Sequence, residues 1–181
     1  MTTIGIVFFS GTGTTRALAD SVREGVDSTG ATCHVLEVLG GDINEGRWMN
    51  DAMGSTLDDC DAIIFGTPTY MGCVAGQMKC FMDAMAGRWY SNAWNGKLGA
   101  AFTVSSLGSG DKLNALIDLT TFAMQMGMQW IGTGASPADG LNPNGFYFGV
   151  GAQASHAGEL TDIDKATAVH LGKRVVEALK T

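Results

Sequence analysis

The chain has 181 residues, of which 45% are hydrophobic and 16% charged, with a formal net charge of −7. This length and apolar content fit a single domain with a buried core and exclude extended disorder. The acidic balance excludes nucleic-acid and membrane-surface partners, because both need clustered Lys and Arg.

The N-terminal run Ile4 to Phe9 is too short for a signal peptide or a membrane span, so a cytoplasmic protein is expected. Rich in Ile, Val and Phe, the stretch Thr3 to Phe9 reads as a strand covered on both faces. Leu18, Val22 and Val26 then recur every four residues with Arg16, Asp20, Arg23 and Glu24 turned outward, which predicts a helix ending near Gly30. Ala31 to Leu39 reads as a second strand and Asp61 to Gly66 as a third. Gly40 to Leu57 between them is a loop or partial helix, and Asp58, Asp59 and Asp61 read as a solvated cluster. Met78, Phe81, Met82 and Met85 mark a second helix ending at Gly87. Lys97 to Val104 supplies a fourth strand, and Leu113, Leu116, Ile117 and Ala123 mark a helix closed by Gly127. The fifth strand is "MQWIG", Met128 to Gly132. Ala135 to Gly158 is a long Gly, Pro and Asn-rich segment, of the kind that is usually functional or mobile. The last helix opens at Thr161, with Asp164 in capping-box position, and turns Val169, Gly172, Val176 and Leu179 inward.

Five alternations of strand and helix imply right-handed crossovers and a doubly wound α/β fold with a parallel sheet, one domain over residues 1–181. Ligands of such sheets bind outside the carboxyl ends of the strands, which directs attention to the loops after strands one, three and four. The first is "SGTGTT": Ser10, Gly11, Thr12, Gly13, Thr14 and Thr15, at a helix N-terminus where unpaired N–H groups and the macrodipole favour an anion. A Walker loop is disfavoured, because no lysine precedes the threonines. A dinucleotide fingerprint fits Gly11 and Gly13 but not Arg16; Glu37, at the end of strand two, keeps it open. A phosphate monoester held by hydroxyls and amides, and an ordinary glycine and hydroxyl-rich turn, are the other readings. The second loop is Thr67 to Gly72, in which Pro68 fixes the backbone, Thr69 follows, Tyr70 presents a flat ring, Met71 comes next and Gly72 relaxes the chain. The third, Ser105, Ser106, Leu107, Gly108, Ser109 and Gly110, has nothing bulky but Leu107, so its amides can approach a planar ligand. Each is ordinary turn chemistry taken alone; their shared position at neighbouring strand ends argues for one site. Cys33, Cys60, Cys73 and Cys80 show no metal-ligand spacing and read as buried thiols, and His34, His156 and His170 are scattered.

The phosphate-loop string "SGTGTT" resembles that of flavodoxin-like proteins, and "PTYMGCVAGQMKCFMDAMAGRWYSNAWNGKLGAAF" resembles the NAD(P)H:quinone oxidoreductases of the tryptophan-repressor-binding-protein type. The resemblance implies a five-stranded sheet of order 2-1-3-4-5, bound FMN, NADH or NADPH as electron donor, a quinone acceptor and a cytoplasmic homotetramer. It implies that the proline-led loop and the Ser105–Gly110 loop embrace the flavin ring, and that Trp89 lines the substrate pocket beside a neighbouring subunit. Two departures stand out: Gln125 and Met126 replace paired histidines of the family, and Tyr70 replaces an arginine. The chemistry then belongs to the flavin, with no side-chain acid or base required. A one-electron carrier and a flavin-free interaction module of the same fold are the alternatives.

Overall fold

The computed structural model describes residues 1–180. In chain order its elements are β1 (Thr3–Phe8), α1 (Thr14–Asp27), β2 (Thr32–Glu37), a 3-10 turn (Gly40–Asp42), the small hairpin β3 (Ile43–Asn44) and β4 (Arg47–Trp48), and α2 (Asp51–Asp58). They continue with β5 (Ala62–Tyr70), β6 (Cys73–Val74), α3 (Gly76–Ala84), α4 (Ala86–Tyr90), β7 (Leu98–Ser105), α5 (Lys112–Gln125), β8 (Gln129–Trp130), a second 3-10 turn (Pro137–Asp139), β9 (Val150–Gln153) and α6 (Asp162–Ala178). The main sheet runs β2-β1-β5-β7-β8, with β9 beside the upper part of β7. All these pairings are parallel, so the main strands lie in the expected 2-1-3-4-5 order.

Successive residues of a strand point to opposite faces. On β1, Ile4, Ile6 and Phe8 join Leu18 and Val22 of α1 and Leu171 and Val175 of α6 in one core. Val7 points the other way and packs with Ile63 and Phe65 of β5, Phe81 of α3 and Leu116 and Leu119 of α5. Each such fully buried aliphatic or aromatic side chain contributes about 1.5–3 kcal/mol of transfer free energy.

Four elements differ from the sequence pattern. The third strand does not stop at Gly66 but runs to Tyr70, so most of the predicted second loop is strand. Pro68 is tolerated there because β1 has already ended: Gly66 turns its carbonyl to the Phe9 amide just past β1, and Pro68, two residues on, faces the same vacant side. The predicted fifth strand is split. β8 pairs with only Leu98 and Gly99, and β9 supplies the pairing to Phe102–Ser105 after an excursion. Asn142 fastens that excursion, donating to the Ala135 carbonyl at 3.0 Å and accepting from the Phe146 amide at 3.0 Å. Gly87 does not end a helix; it sits inside α4. On α5 the buried stripe is Ala115, Leu116, Leu119 and Ala123, and Leu113 and Ile117 face outward.

The segment after α3 divides its aromatics between inside and outside. Trp94 is fully buried against Phe65 and Phe122, and its indole N–H donates to Asp58 at 2.8 Å. Arg88 donates to Asp58 at 3.0 Å and to Asp51 at 2.8 Å, so Asp58 is an anchor rather than part of a solvated cluster. Trp89 and Tyr90 remain 48% and 84% exposed.

The crossing of α1 and α6 is glycine on glycine. A Cβ on Gly25 would lie 2.0 Å from the Val169 carbonyl oxygen, and one on Gly172 would lie 2.2 Å from that of Val22. Backbone cannot yield as a flexible side chain can, so Gly25→Ala should destabilise the protein by about 1–3 kcal/mol in urea unfolding. Gly40→Ala, where a Cβ meets nothing within 4 Å, should leave the midpoint nearly unchanged.

Candidate functional site

The first predicted loop leads into α1 through Gly13, whose φ of 92° lies in the left-handed region that glycine enters without steric cost. Gly13 has no side chain to cap the helix, and there is no acid in its first turn. The Ser10 hydroxyl accepts from the Gly13 amide at 3.1 Å and from the first-turn Arg16 amide at 3.2 Å. The amides of Thr14 and Thr15, in the first helical turn, have no carbonyl four residues back within the helix. Both residues are nearly buried, and Thr14 donates its hydroxyl to the Gly158 carbonyl at 3.3 Å. Glu37, which a dinucleotide site would aim at a ribose, is ion-paired instead with Arg16.

The carboxyl ends of β5 and β7 are joined by hydroxyls. Thr103 donates to the Thr67 carbonyl at 2.7 Å and shares a 2.8 Å hydrogen bond with Thr69. Tyr70 closes the strand, its hydroxyl set against Gly11 of the first loop. Beyond it Met71, with φ 49°, and Gly72 make the tight turn into β6, and Asn114 of α5 holds this turn by donating to the Gly72 carbonyl at 2.9 Å.

Between β7 and α5 the Ser105–Gly110 loop wraps the amine of Lys112, a residue with no exposed surface. Its ammonium donates to the carbonyls of Leu107 at 2.5 Å and Gly108 at 2.8 Å and to the Ser105 hydroxyl at 3.2 Å. It also lies 5.6 Å from the centre of the Phe146 ring. Burial pushes the Lys112 amine below its ordinary pKa, and buried Asp164 opposes that shift. Asp164 is itself pushed up by burial while accepting from the Thr161 hydroxyl and the Gln153 amide. The expected capping box is therefore half formed: Thr161 accepts from the Asp164 amide, but the Asp164 carboxylate turns inward. A cation in the first turn of a helix opposes the macrodipole, and this was the sequence signal for Lys112 that periodicity did not read.

One cavity of about 400 Å³ collects Thr12, Thr14 and Thr15, Pro68, Thr69 and Tyr70, and Ser105 and Ser106. Val104 and Ala154 to Gly158, the latter from the end of the long Gly, Pro and Asn-rich segment and including His156, complete the wall. Gly11, Gly13, Met71, Gly72, Leu107, Gly108, Ser109 and Gly110 shape the loops without lining this cavity. Trp89 lies elsewhere, in a groove of about 780 Å³ with Met82, Met85, Phe122, Gln125 and Met126.

A family profile described as NADPH-dependent FMN reductase matches residues 5–140. The chain belongs to this family. It is 33% identical to NAD(P)H dehydrogenase (quinone) of Archaeoglobus fulgidus, with 98% of this chain and 97% of that protein covered. It is 36% identical to Flavodoxin FldP of Pseudomonas aeruginosa over 74% of this chain and 67% of that protein. Among solved structures, the flavodoxin, WrbA-like protein of Agrobacterium tumefaciens matches with a TM-score of 0.78 and 35% identity over 99% of this chain and 98% of its own. The donors present suit the cofactor of the family's name: hydroxyls and the first-turn amides of Thr14 and Thr15 at an acid-free helix start for a phosphate, and a loop without aromatic side chains beside it for a ring.

The cysteines divide by environment. Burial pushes the Cys33 thiol up to about 12 and the Cys60 thiol up to about 11, whereas Cys73, against the expectation of a buried thiol, is exposed on the Trp89 groove. Since the thiolate is the nucleophile, native protein treated with iodoacetamide at pH 8 should be alkylated at Cys73 first. Cys33 and Cys60 should react only after denaturation, as peptide mass spectrometry would read. The same shifts predict that stability falls as pH rises above the ordinary thiol value of 9.0, because the unfolded chain then releases protons that the folded chain retains.

Proposed function

We propose that this protein is an FMN-dependent oxidoreductase that passes two electrons from NADH or NADPH to a quinone. The observation that carries the reading is the convergence of three strand-end segments and Ala154–Gly158 on one cavity at the acid-free start of α1. Family membership and the quinone-reductase names of its relatives support it. Bound FMN supplies the hydride and electron chemistry. The chain's own residues would bind and orient: Thr12 and Thr15 offer hydroxyls, and Thr14 and Thr15 their first-turn amides, to the phosphate, with the α1 macrodipole in place of a lysine. Pro68, Thr69 and Tyr70 would hold the ring from one side, and the Ser105 to Gly110 loop would meet it with backbone. Because no aromatic side chain covers the ring from that loop, room remains for a flat nicotinamide or quinone, which favours a reductase over a one-electron carrier.

The protein is further proposed to be a cytoplasmic homotetramer. Half-exposed Trp89, held out by the ion-paired Arg88 and the buried Trp94 on either side of it, is proposed to reach the flavin site of a neighbouring subunit and line its substrate pocket. Large aromatics placed at such an edge supply both apolar contact and a stacking surface.

Apo protein titrated with FMN should bind it in the micromolar range or tighter, and Thr12→Val should weaken binding by roughly 1–3 kcal/mol through the lost hydrogen bond to a charged group. No binding by a folded protein would leave a flavin-free interaction module. The loaded protein should be reduced by NADH or NADPH at a rate that supports quinone turnover; a flavin that neither nicotinamide reduces would instead make the protein a carrier.

Trp89→Ala should raise the KM for quinone several-fold with flavin content nearly unchanged, and sedimentation of the holoprotein should give a tetramer. A fully active monomer indifferent to Trp89 would leave that side chain without a role in the site.

A further inference from the structure

The mechanism leaves one charged group unused. Lys112 is fully buried, yet it opens α5, where the helix dipole disfavours a cation. A buried ammonium persists only if its three donors are satisfied. Here all three are spent on one loop: the carbonyls of Leu107 and Gly108 and the hydroxyl of Ser105. The neighbouring carbonyl, of Ser106, is drawn inward as well by the Gln153 side chain at 3.2 Å.

Three consecutive carbonyls of the loop are thus taken by the protein's own donors. In a trans peptide the N–H of the following residue points opposite to the carbonyl. The amides of Leu107, Gly108 and Ser109 therefore face away from Lys112 and Gln153, and among the described residues none of them has a hydrogen-bond partner. All three residues are exposed, directly following Ser105 and Ser106, which line the cavity, so this outward face is open beside it. A row of unbonded amides over a buried positive charge favours an electron-rich ligand edge.

We propose that Lys112 is the positioning residue of this loop: it turns the Leu107–Ser109 amides outward and adds a fixed positive charge beneath them, so that the site prefers the more negative, reduced form of its flavin. The inference rests on the FMN reading above. The Asp164 carboxylate on α6 favours the protonated amine, and the Phe146 ring of the excursion lies 5.6 Å from it.

The test compares wild type with Lys112→Met, Lys112→Gln and Lys112→Arg, measuring FMN affinity by fluorescence quenching and the two-electron midpoint potential by spectroelectrochemistry. Loss of the charge in Lys112→Met should lower the preference for reduced over oxidised FMN at least tenfold, which moves the potential about 30 mV more negative. Lys112→Gln, which keeps a donor but no charge, should show the same shift, and it serves if the methionine variant does not fold. Lys112→Arg should restore most of the potential. Unchanged potentials in both neutral variants would overturn the proposal and leave Lys112 as a staple of the fold. Should wild type bind no FMN, the functional reading fails separately. The loop claim is then read from ¹⁵N relaxation of the apo protein, where Leu107–Ser109 should be ordered in wild type and mobile in Lys112→Met; equal mobility in the two would overturn it.

Discussion

The structure depends on a sheet buried on both faces. Ile4, Ile6 and Phe8 on one side of β1, and Val7, Ile63 and Phe65 on the other side of the sheet, have no exposed surface. Polar backbone inside such a layer is satisfied by the ladder and by nothing else, so unpaired donors can collect only where strands end. β1, β5 and β7 are parallel neighbours. Their carboxyl ends therefore release the chain at one edge of the sheet, and a cavity formed by all three follows from the topology.

Helix starts at that edge are finished differently from those of α2 and α6. Asn50 caps α2 and Thr161 caps α6, and both helices carry acids in their first turns. α1 begins at a left-handed glycine with no acid in its first turn, and Ser10 takes only the Arg16 amide of that turn. The Thr14 and Thr15 amides at its positive end are left for a ligand. The Lys112 arrangement extends the same economy to the next loop, where carbonyls are consumed inward so that amides remain outward.

Much of this was legible in the sequence because it rests on local rules. Strand and helix alternation, the 3.6-residue stripes of α1 and α3, and the hydroxyl loop before α1 are short-range patterns, and the strand order followed from the family resemblance. The features that escaped depend on partners distant in sequence. Pro68 reads as a loop former, but it continues β5 because β1 has already ended. "MQWIG" reads as one strand, yet only two of its residues pair, and β9 completes that edge through an excursion fastened by Asn142. Trp89 and Trp94 look alike in a local window. The Arg88 and Asp58 network, thirty residues apart in the chain, sends one inside and leaves the other outside. Lys112 and the wall Ala154 to Gly158 belong to the same class: one contradicts a dipole rule, and the other lies inside a segment without periodicity.

The account's central claim is that one cavity, built from three strand ends and a returning segment, holds the flavin. The most direct measurement is a ¹H–¹⁵N correlation spectrum of the apo protein recorded during addition of FMN. The account predicts that amide shifts concentrate at Thr12 to Thr15, Thr67 to Tyr70, Ser105 to Ser109 and Ser155 to Gly158. Perturbations centred instead on the Met82, Met85 and Phe122 groove, with those four segments unmoved, would contradict it.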